Sequence, residues 1–204
     1  MAKIQSSNVR ERILDVAREL FVAKGYAATS IRDIATASDA NVAHVKYYFG
    51  SKADLFEIIF DEAFEILANR VFSALNSDMP FEEMIENWIN AYYELLPEYP
   101  QIPMFILNEI SHSPEALVKK ILKKNPQRIF SRFSDRMEDE IRKGTVRPVP
   151  VLDFGLNVLS LCVFPFMFRG FVLRIANMSN NDYNALLKEH KQYVIDFVLR
   201  ALQP

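Results

Sequence analysis

Glu109 and His112 stand three residues apart in a stretch with helical spacing. Facing helices use that pair to hold two metal ions, but only with a second Glu-x-x-His and further carboxylates. The positions three before His44 and His190 hold Asn41 and Leu187, so no metal centre is expected, and Glu109 with His112 reads as a polar wall of a pocket or as an exposed helix face. Cys162 is the single cysteine and lies in an apolar run without a neighbouring base. It reads as a buried thiol and excludes a disulfide framework and a paired-cysteine zinc site. With no nucleophile–base pair and no glycine-rich phosphate loop, an enzyme is not expected, and no cofactor is implied. A different chemistry gathers near the N-terminus. Lys46, Tyr47, Tyr48 and Lys52 bring ammonium and phenol donors together, and Thr29 and Ser30 place hydroxyls and backbone N–H groups at a helix start. Donors of these kinds suit phosphate.

Net charge at first argues against that reading. The 204 residues carry a formal −2, which excludes binding to polyanions through gross charge. Counted by segment, residues 1–52 hold eight Lys/Arg against five Asp/Glu, +3, and the rest of the chain is −5. A basic head is carried on an acidic body. Half of the residues are apolar and a quarter charged, enough for a substantial core. The first twelve residues contain no signal-type apolar run, and the longest uncharged stretch, Phe154 to Phe168, is 15 residues and contains Pro165. A bilayer span takes roughly 18 or more. No membrane segment is expected, and reducing cytoplasm is the expected compartment.

Helical spacing runs from end to end, and no segment alternates with a period of two, so the fold class is all-α with about nine helices. Val9, Ile13, Ala17, Leu20 and Phe21 form one stripe, closed by Lys24-Gly25. Ser30 and Asp33 have capping-box spacing at the start of a short helix. Ser38-Asp39-Ala40-Asn41 reads as a tight turn, with Asn41 capping a third helix through Phe49. Gly50-Ser51 breaks the pattern before a long helix with Leu55, Phe56, Ile59, Phe60, Ala63, Phe64, Leu67 and Val71 inward. Asn76 to Pro80 reads as a joint. The expected division is therefore a head, 1–52, a linking helix, 53–75, and a body, 76–204. In the body, helical readings fall at 104–112, 115–124, 126–143, 151–175 and from about Asp182, with prolines marking several boundaries. Pro165 is expected to kink the helix 151–175.

Three short helices with a tight turn between the second and third fit a helix-turn-helix, whose third helix enters the major groove. Asn41, Val42, Ala43 and His44 lead that helix: His44 suits a base edge, and Val42 and Ala43 suit a thymine methyl. The stretch Gly25-Tyr-Ala-Ala-Thr29-Ser30-Ile-Arg-Asp-Ile34-Ala35, followed by Asn41-Val-Ala-His-Val-Lys-Tyr47-Tyr48-Phe49-Gly50-Ser51-Lys52-Ala-Asp-Leu55-Phe56, resembles the DNA-binding signature of the TetR family, the tetracycline-repressor-like bacterial transcription regulators. The resemblance covers roughly residues 9–60. It implies backbone phosphate contacts at Thr29, Tyr47 and Lys52 and base reading by residues 41–46. For Tyr47 a packed ring with its hydroxyl at phosphate is expected. Asp39 stands where the family often has Gly, Tyr48 where it often has His, and Lys46 where an aromatic or Asn is common.

The body resembles the family in pattern only. Fourteen of the 16 phenylalanines lie beyond Phe49, which reads as core or as an apolar pocket with a few polar groups. Candidate lining residues are Trp88, Tyr92, Phe105, Asn108, Glu109, Cys162 and Phe166. The helix 151–175 is apolar almost all round and 182–202 is amphipathic; they look like the pair that dimerises in this family through a four-helix bundle. The resemblance thus implies a homodimeric repressor, released from a near-palindromic DNA operator by a small apolar or aromatic effector. The rival reading is a protein-binding co-regulator with a relic head.

Overall fold

The computed structural model describes residues 2–100, 102–104, 106, 107, 114–123 and 125–204, with backbone alone at 2–8, 114, 116, 117 and 120. Nine helices and no strand are found among the described residues: α1 (Ala2–Lys24), α2 (Ile31–Ala37), α3 (Val42–Phe49), α4 (Lys52–Leu75), α5 (Phe81–Leu95), α6 (Pro114–Leu122), α7 (Pro126–Lys143), α8 (Val151–Ile175) and α9 (Asn180–Leu202). Contacts group them into two compact units, Met1–Glu65 and Ile66–Pro204, so the division falls inside α4.

Punctuation residues set the first unit. Gly25 closes α1 in the left-handed region at φ +83°, and its N–H returns to Phe21 O at 3.0 Å. Ser30 and Asp33 form a reciprocal capping box on α2, and Asn41 Oδ1 accepts from His44 N at 2.7 Å to open α3. Between them Asp39 takes φ +48°, a conformation that Asp tolerates better than most residues. A second box in this unit, Ser51 with Asp54 at the start of α4, was not singled out from sequence. Ile13, Ala17, Phe21, Ile34, Val45, Phe49, Leu55 and Phe60 are buried together, and the rings of Phe21, Tyr26 and Phe56 meet at 4.8–5.7 Å.

In the second unit α5 packs on α7, α8 and α9. The loop Asn76–Pro80 lies inside this unit and is held by α7: Arg132 donates to Asn76 Oδ1 at 3.2 Å and pairs with Asp78, while Arg136 donates to Ser77 O at 2.6 Å and Met79 O. The last helix begins earlier than about Asp182, because Ser179 is its N-cap and Asp182 the third position of its capping box.

The helix α8 runs unbroken through Pro165. Proline has no N–H for the carbonyl one turn back. That carbonyl, Leu161 O, accepts from the Tyr93 hydroxyl at 3.4 Å, and Pro165 O accepts from the Tyr183 hydroxyl at 2.7 Å. Burial raises both phenols from the usual tyrosine range, so each remains a donor. Phe154, Val158, Cys162 and Phe166 form its buried stripe, whereas Leu152, Leu156, Leu159, Phe164, Phe168, Phe171 and Ile175 are 40–72% exposed. The count of uncharged residues understated this helix: at 25 residues, with an 18-residue window of mean hydropathy 1.9, it is long and apolar enough to cross a membrane by length and composition. Its stripe packed on α5 and α9 gives it a protein-facing side and leaves the opposite side bare.

Two predictions concern the first unit. Gly50 sits at φ +74°, and a Cβ there would lie 2.8 Å from Asp54 Oδ2. Gly50→Ala should therefore cost about 1–3 kcal/mol, read as a lowered urea midpoint with unchanged slope. The Asp33 carboxyl is held below the ordinary aspartate range first by the Ser30 hydroxyl and then by the Ser30 N–H, and Asp54 likewise by Ser51. The unfolded chain therefore takes up these protons at higher pH than the folded one. The stability they contribute is present above about pH 4, the unfolded value, and is lost as pH falls through the lower folded values. Asp33→Asn with Asp54→Asn should flatten that part of an acid-unfolding profile.

Candidate nucleic-acid interface

Val45 and Phe49, one turn apart, anchor α3 in the core. At 100° per residue the opposite side of the helix is centred on Ala43 and Tyr47, with His44 and Lys46 flanking. All four are exposed. Tyr47 is 82% exposed, and its ring meets only the edge of Tyr48 at 5.1 Å among the described ring contacts. The expected packed ring is thus corrected: the whole phenol stands in solvent, because the side chains that fill the core from α3 are Val45 and Phe49. Val42 and Tyr48 are half-buried at the sides, and Asn41 spends its side-chain oxygen on the cap.

Three expected phosphate donors are occupied within the head. Thr29 is 1% exposed, and its hydroxyl lies 2.8 Å from Gly25 O and 3.3 Å from Leu20 O, to which it donates. It ties down the end of α1, a role its position after Gly25 could have suggested. Ser30 is exposed, but its hydroxyl donates to Asp33 Oδ2 at 2.7 Å. The Lys52 ammonium donates to Tyr26 O at 2.9 Å and Thr29 O at 3.0 Å and lies 4.1 Å from the centre of the Tyr26 ring. It fastens α4 to the α1–α2 turn.

Sequence reasoning missed two arginines of α1. Arg12 donates through Nε to Ser38 O at 2.6 Å and through a terminal nitrogen to Asp39 O at 3.2 Å. It thereby holds the turn that fixes the angle between α2 and α3. Arg10 lies over the Phe49 ring, 5.2 Å from its centre. The α1 helix therefore grips α3 at both ends. No local pattern marks these residues, since their partners are a carbonyl pair and a ring about 26 to 39 residues away.

In the body, Trp88 and Tyr92 do share a wall, that of a cavity of about 260 Å³. Cys162 and Phe166 do not line it; they belong to the buried stripe of α8, and burial pushes the Cys162 thiol up to about 12, leaving it protonated. Phe105, Asn108, Glu109 and His112 lie outside the described residues. The sequence reading missed Phe72, Ile129, Phe130, Phe133 and Gly155 in the same wall; amphipathic spacing marks the two phenylalanines of α7 as inward but cannot tell core from cavity.

Residues 13–59 match the family described as "Bacterial regulatory proteins, tetR family". The helix-turn-helix of this chain is that of the TetR family, whose members are DNA-binding transcriptional regulators, and the matched segment spans it. Similarity also extends beyond the head. A probable HTH-type transcriptional regulator of Bacillus subtilis, YttP, is 23% identical over 193 residues, 92% of each chain. The crystal structure of a TetR family transcriptional regulator from Thermus thermophilus, PfmR, aligns over 96% of this chain and 97% of that one, with TM-score 0.64 and 26% identity. The HTH-type regulator QacR of Staphylococcus aureus is 39% identical over 49 residues, 24% of this chain and 26% of QacR.

Arg12 and Lys46 should separate by salt dependence. Lys46→Ala removes an exposed cation, and if it contacts phosphate the slope of log affinity against log salt falls by about one. Arg12→Ala loosens the turn without removing such a contact. It should weaken operator binding at every salt concentration with the slope unchanged, measured by fluorescence anisotropy.

Proposed function

We propose that this regulator is a homodimeric repressor in which each head reads one half of a near-palindromic operator, and that a small, largely apolar ligand in the body releases it. The observation that carries the reading is the exposed face of α3, where Ala43, His44, Lys46 and Tyr47 are presented while Val45 and Phe49 hold the helix from behind. Lys46 and Tyr47 supply phosphate contacts, and Asn41, Val42, Ala43 and His44 meet base edges. Thr29, Ser30 and Lys52 act chiefly by fixing the turns that present this face; Thr29 and Ser30 still place backbone at a helix start, and Lys52 retains one free N–H.

The bare side of α8 supports the dimer. Phe164, Phe168, Phe171 and Ile175 form an exposed apolar row on α8, and Leu186, Tyr193 and Phe197 form an exposed stripe on α9. A contiguous apolar surface of this kind marks an association site, and two such helices from each chain make a four-helix bundle. Ligand release requires the body to favour a conformation in which the heads no longer match the operator. The α4 helix, whose residues belong to both compact units, is the covalent route for that change. The cytoplasm is the compartment in which such a regulator works.

A mobility-shift assay with the DNA upstream of the chain's own coding region tests the DNA reading; absence of a specific complex would refute self-regulation through this head. His44→Ala should change sequence preference, and equal losses on operator and random DNA would refute base reading. Phe168→Glu places a charge in the proposed bundle, and burying an unpaired charge costs several kcal/mol. Sedimentation should show monomers at micromolar concentration and operator affinity reduced by about a hundredfold or more.

A further inference from the structure

The cavity in the body has a wall of one chemical character. It is lined from α4 by Val71, Phe72 and Leu75, from α5 by Trp88 and Tyr92, and by further apolar residues of α7 and α8. No charged side chain lines it among the described residues. The polar side-chain groups of the wall are the Trp88 indole N–H and the Tyr92 hydroxyl. Trp88 is 6% exposed, and its N–H has no acceptor in good geometry among the described residues, although it approaches the Tyr92 oxygen. Burial holds the Tyr92 phenol far above the ordinary tyrosine range, so it stays neutral.

Aromatic planes shape the space. The rings of Trp88 and Phe133 meet edge to face at 5.6 Å and 72°, and Phe72 and Phe130 stand in the same wall. Gly155 provides the opening beside them, since a Cβ there would already lie 3.9 Å from Trp88 Cη2. Ring edges and faces at these angles receive another flat ring by offset or edge contact. A charged group seated against such a wall would lose hydration on that side without gaining a partner. The volume, about 260 Å³, sits just below the roughly 300–1,000 Å³ of sites for drug-sized molecules, which sets a small ligand.

We propose that this cavity is a site for a small, flat, uncharged aromatic molecule and that it rejects the same ring skeleton once that skeleton carries a formal charge. The proposal rests on the reading of the body as ligand-responsive, and it narrows the ligand from apolar to neutral and planar.

Trp88 is the sole tryptophan of the chain, so its emission reports on the cavity directly and without DNA. N-phenyl-1-naphthylamine and 8-anilino-1-naphthalenesulfonate share one ring skeleton and differ by the sulfonate. Titrated into the full-length protein, the neutral compound should quench Trp88 and gain sensitised emission. Its affinity should exceed by about a hundredfold or more any Trp88-linked affinity of the sulfonate. Gly155→Leu, which fills the space beside Trp88, should weaken the neutral probe at least about tenfold. Leu159→Phe, at a half-exposed wall position, serves the same purpose should the first variant fail to fold. The proposal is overturned if the sulfonate binds within about threefold of the neutral compound, if neither couples to Trp88, or if a folded filling variant binds the neutral probe like the parent. Operator release is scored separately by anisotropy. Binding without release leaves the cavity's ligand class standing and removes induction by this ligand class; release by some other compound without Trp88 coupling removes the cavity proposal alone.

Discussion

One side of α8 is too apolar for a single chain to cover. Phe164, Phe168, Phe171 and Ile175 stand 40–72% exposed, while the stripe Phe154, Val158, Cys162, Phe166 is buried against its own unit. Exposing this much hydrocarbon along a 25-residue helix opposes solubility as a lone chain, at about 25 cal/mol for each Å² left in water. The inner side is fastened even where Pro165 breaks the hydrogen-bond ladder, through the hydroxyls of Tyr93 and Tyr183. The helix is therefore held firmly with its bare side outward, and in the proposed dimer a second copy of the same surface would satisfy it by symmetry.

The head meets a complementary shortage. Much of its basic charge is used within the fold: Arg12 and Lys52 donate to backbone carbonyls, Arg18 pairs with Asp15 and Glu62, and Arg10 lies on Phe49. These groups still contribute to the local field, but their donors are largely spent on geometry. The exposed cations left among the described residues of the head are Lys24, Arg32 and Lys46, the last beside the Tyr47 phenol, and affinity for a polyanion scales with the number of phosphates neutralised. A head built in this way orients its third helix well and anchors weakly. Joining two heads would raise the effective concentration of the second after the first has bound, so in the proposed dimer the bare helix of the body would compensate for the sparse charge of the head.

Much of this was legible from local signals. The Ser30–Asp33 capping box, the Asn41 cap and the glycines at 25, 50 and 144 bounded helices because each acts on its own backbone neighbours. The helix-turn-helix and its family followed from residues spaced along one short segment. Contacts across the fold were not legible. Arg12 looked like one more basic residue until its guanidinium met Ser38 and Asp39, and Thr29 looked like a free donor until its hydroxyl met Gly25. Tyr47 erred the other way, since an aromatic next to Phe49 reads as core but faces solvent on a helix whose core side is already filled. In the body, periodicity distinguished inward from outward, but Cys162 and Phe166, inward on α8, fill core while Trp88 and Tyr92 border a cavity.

The most direct measurement compares two DNA duplexes of equal length, one carrying both operator halves and one with a single half scrambled, titrated with the full-length protein and read by sedimentation for both affinity and stoichiometry. Two chains should bind the intact operator together, and the half-scrambled duplex should bind about a hundredfold or more weakly. Equal affinity for the two duplexes, or one chain bound per intact operator, would contradict the claim that a weakly anchored head works only as one of a pair.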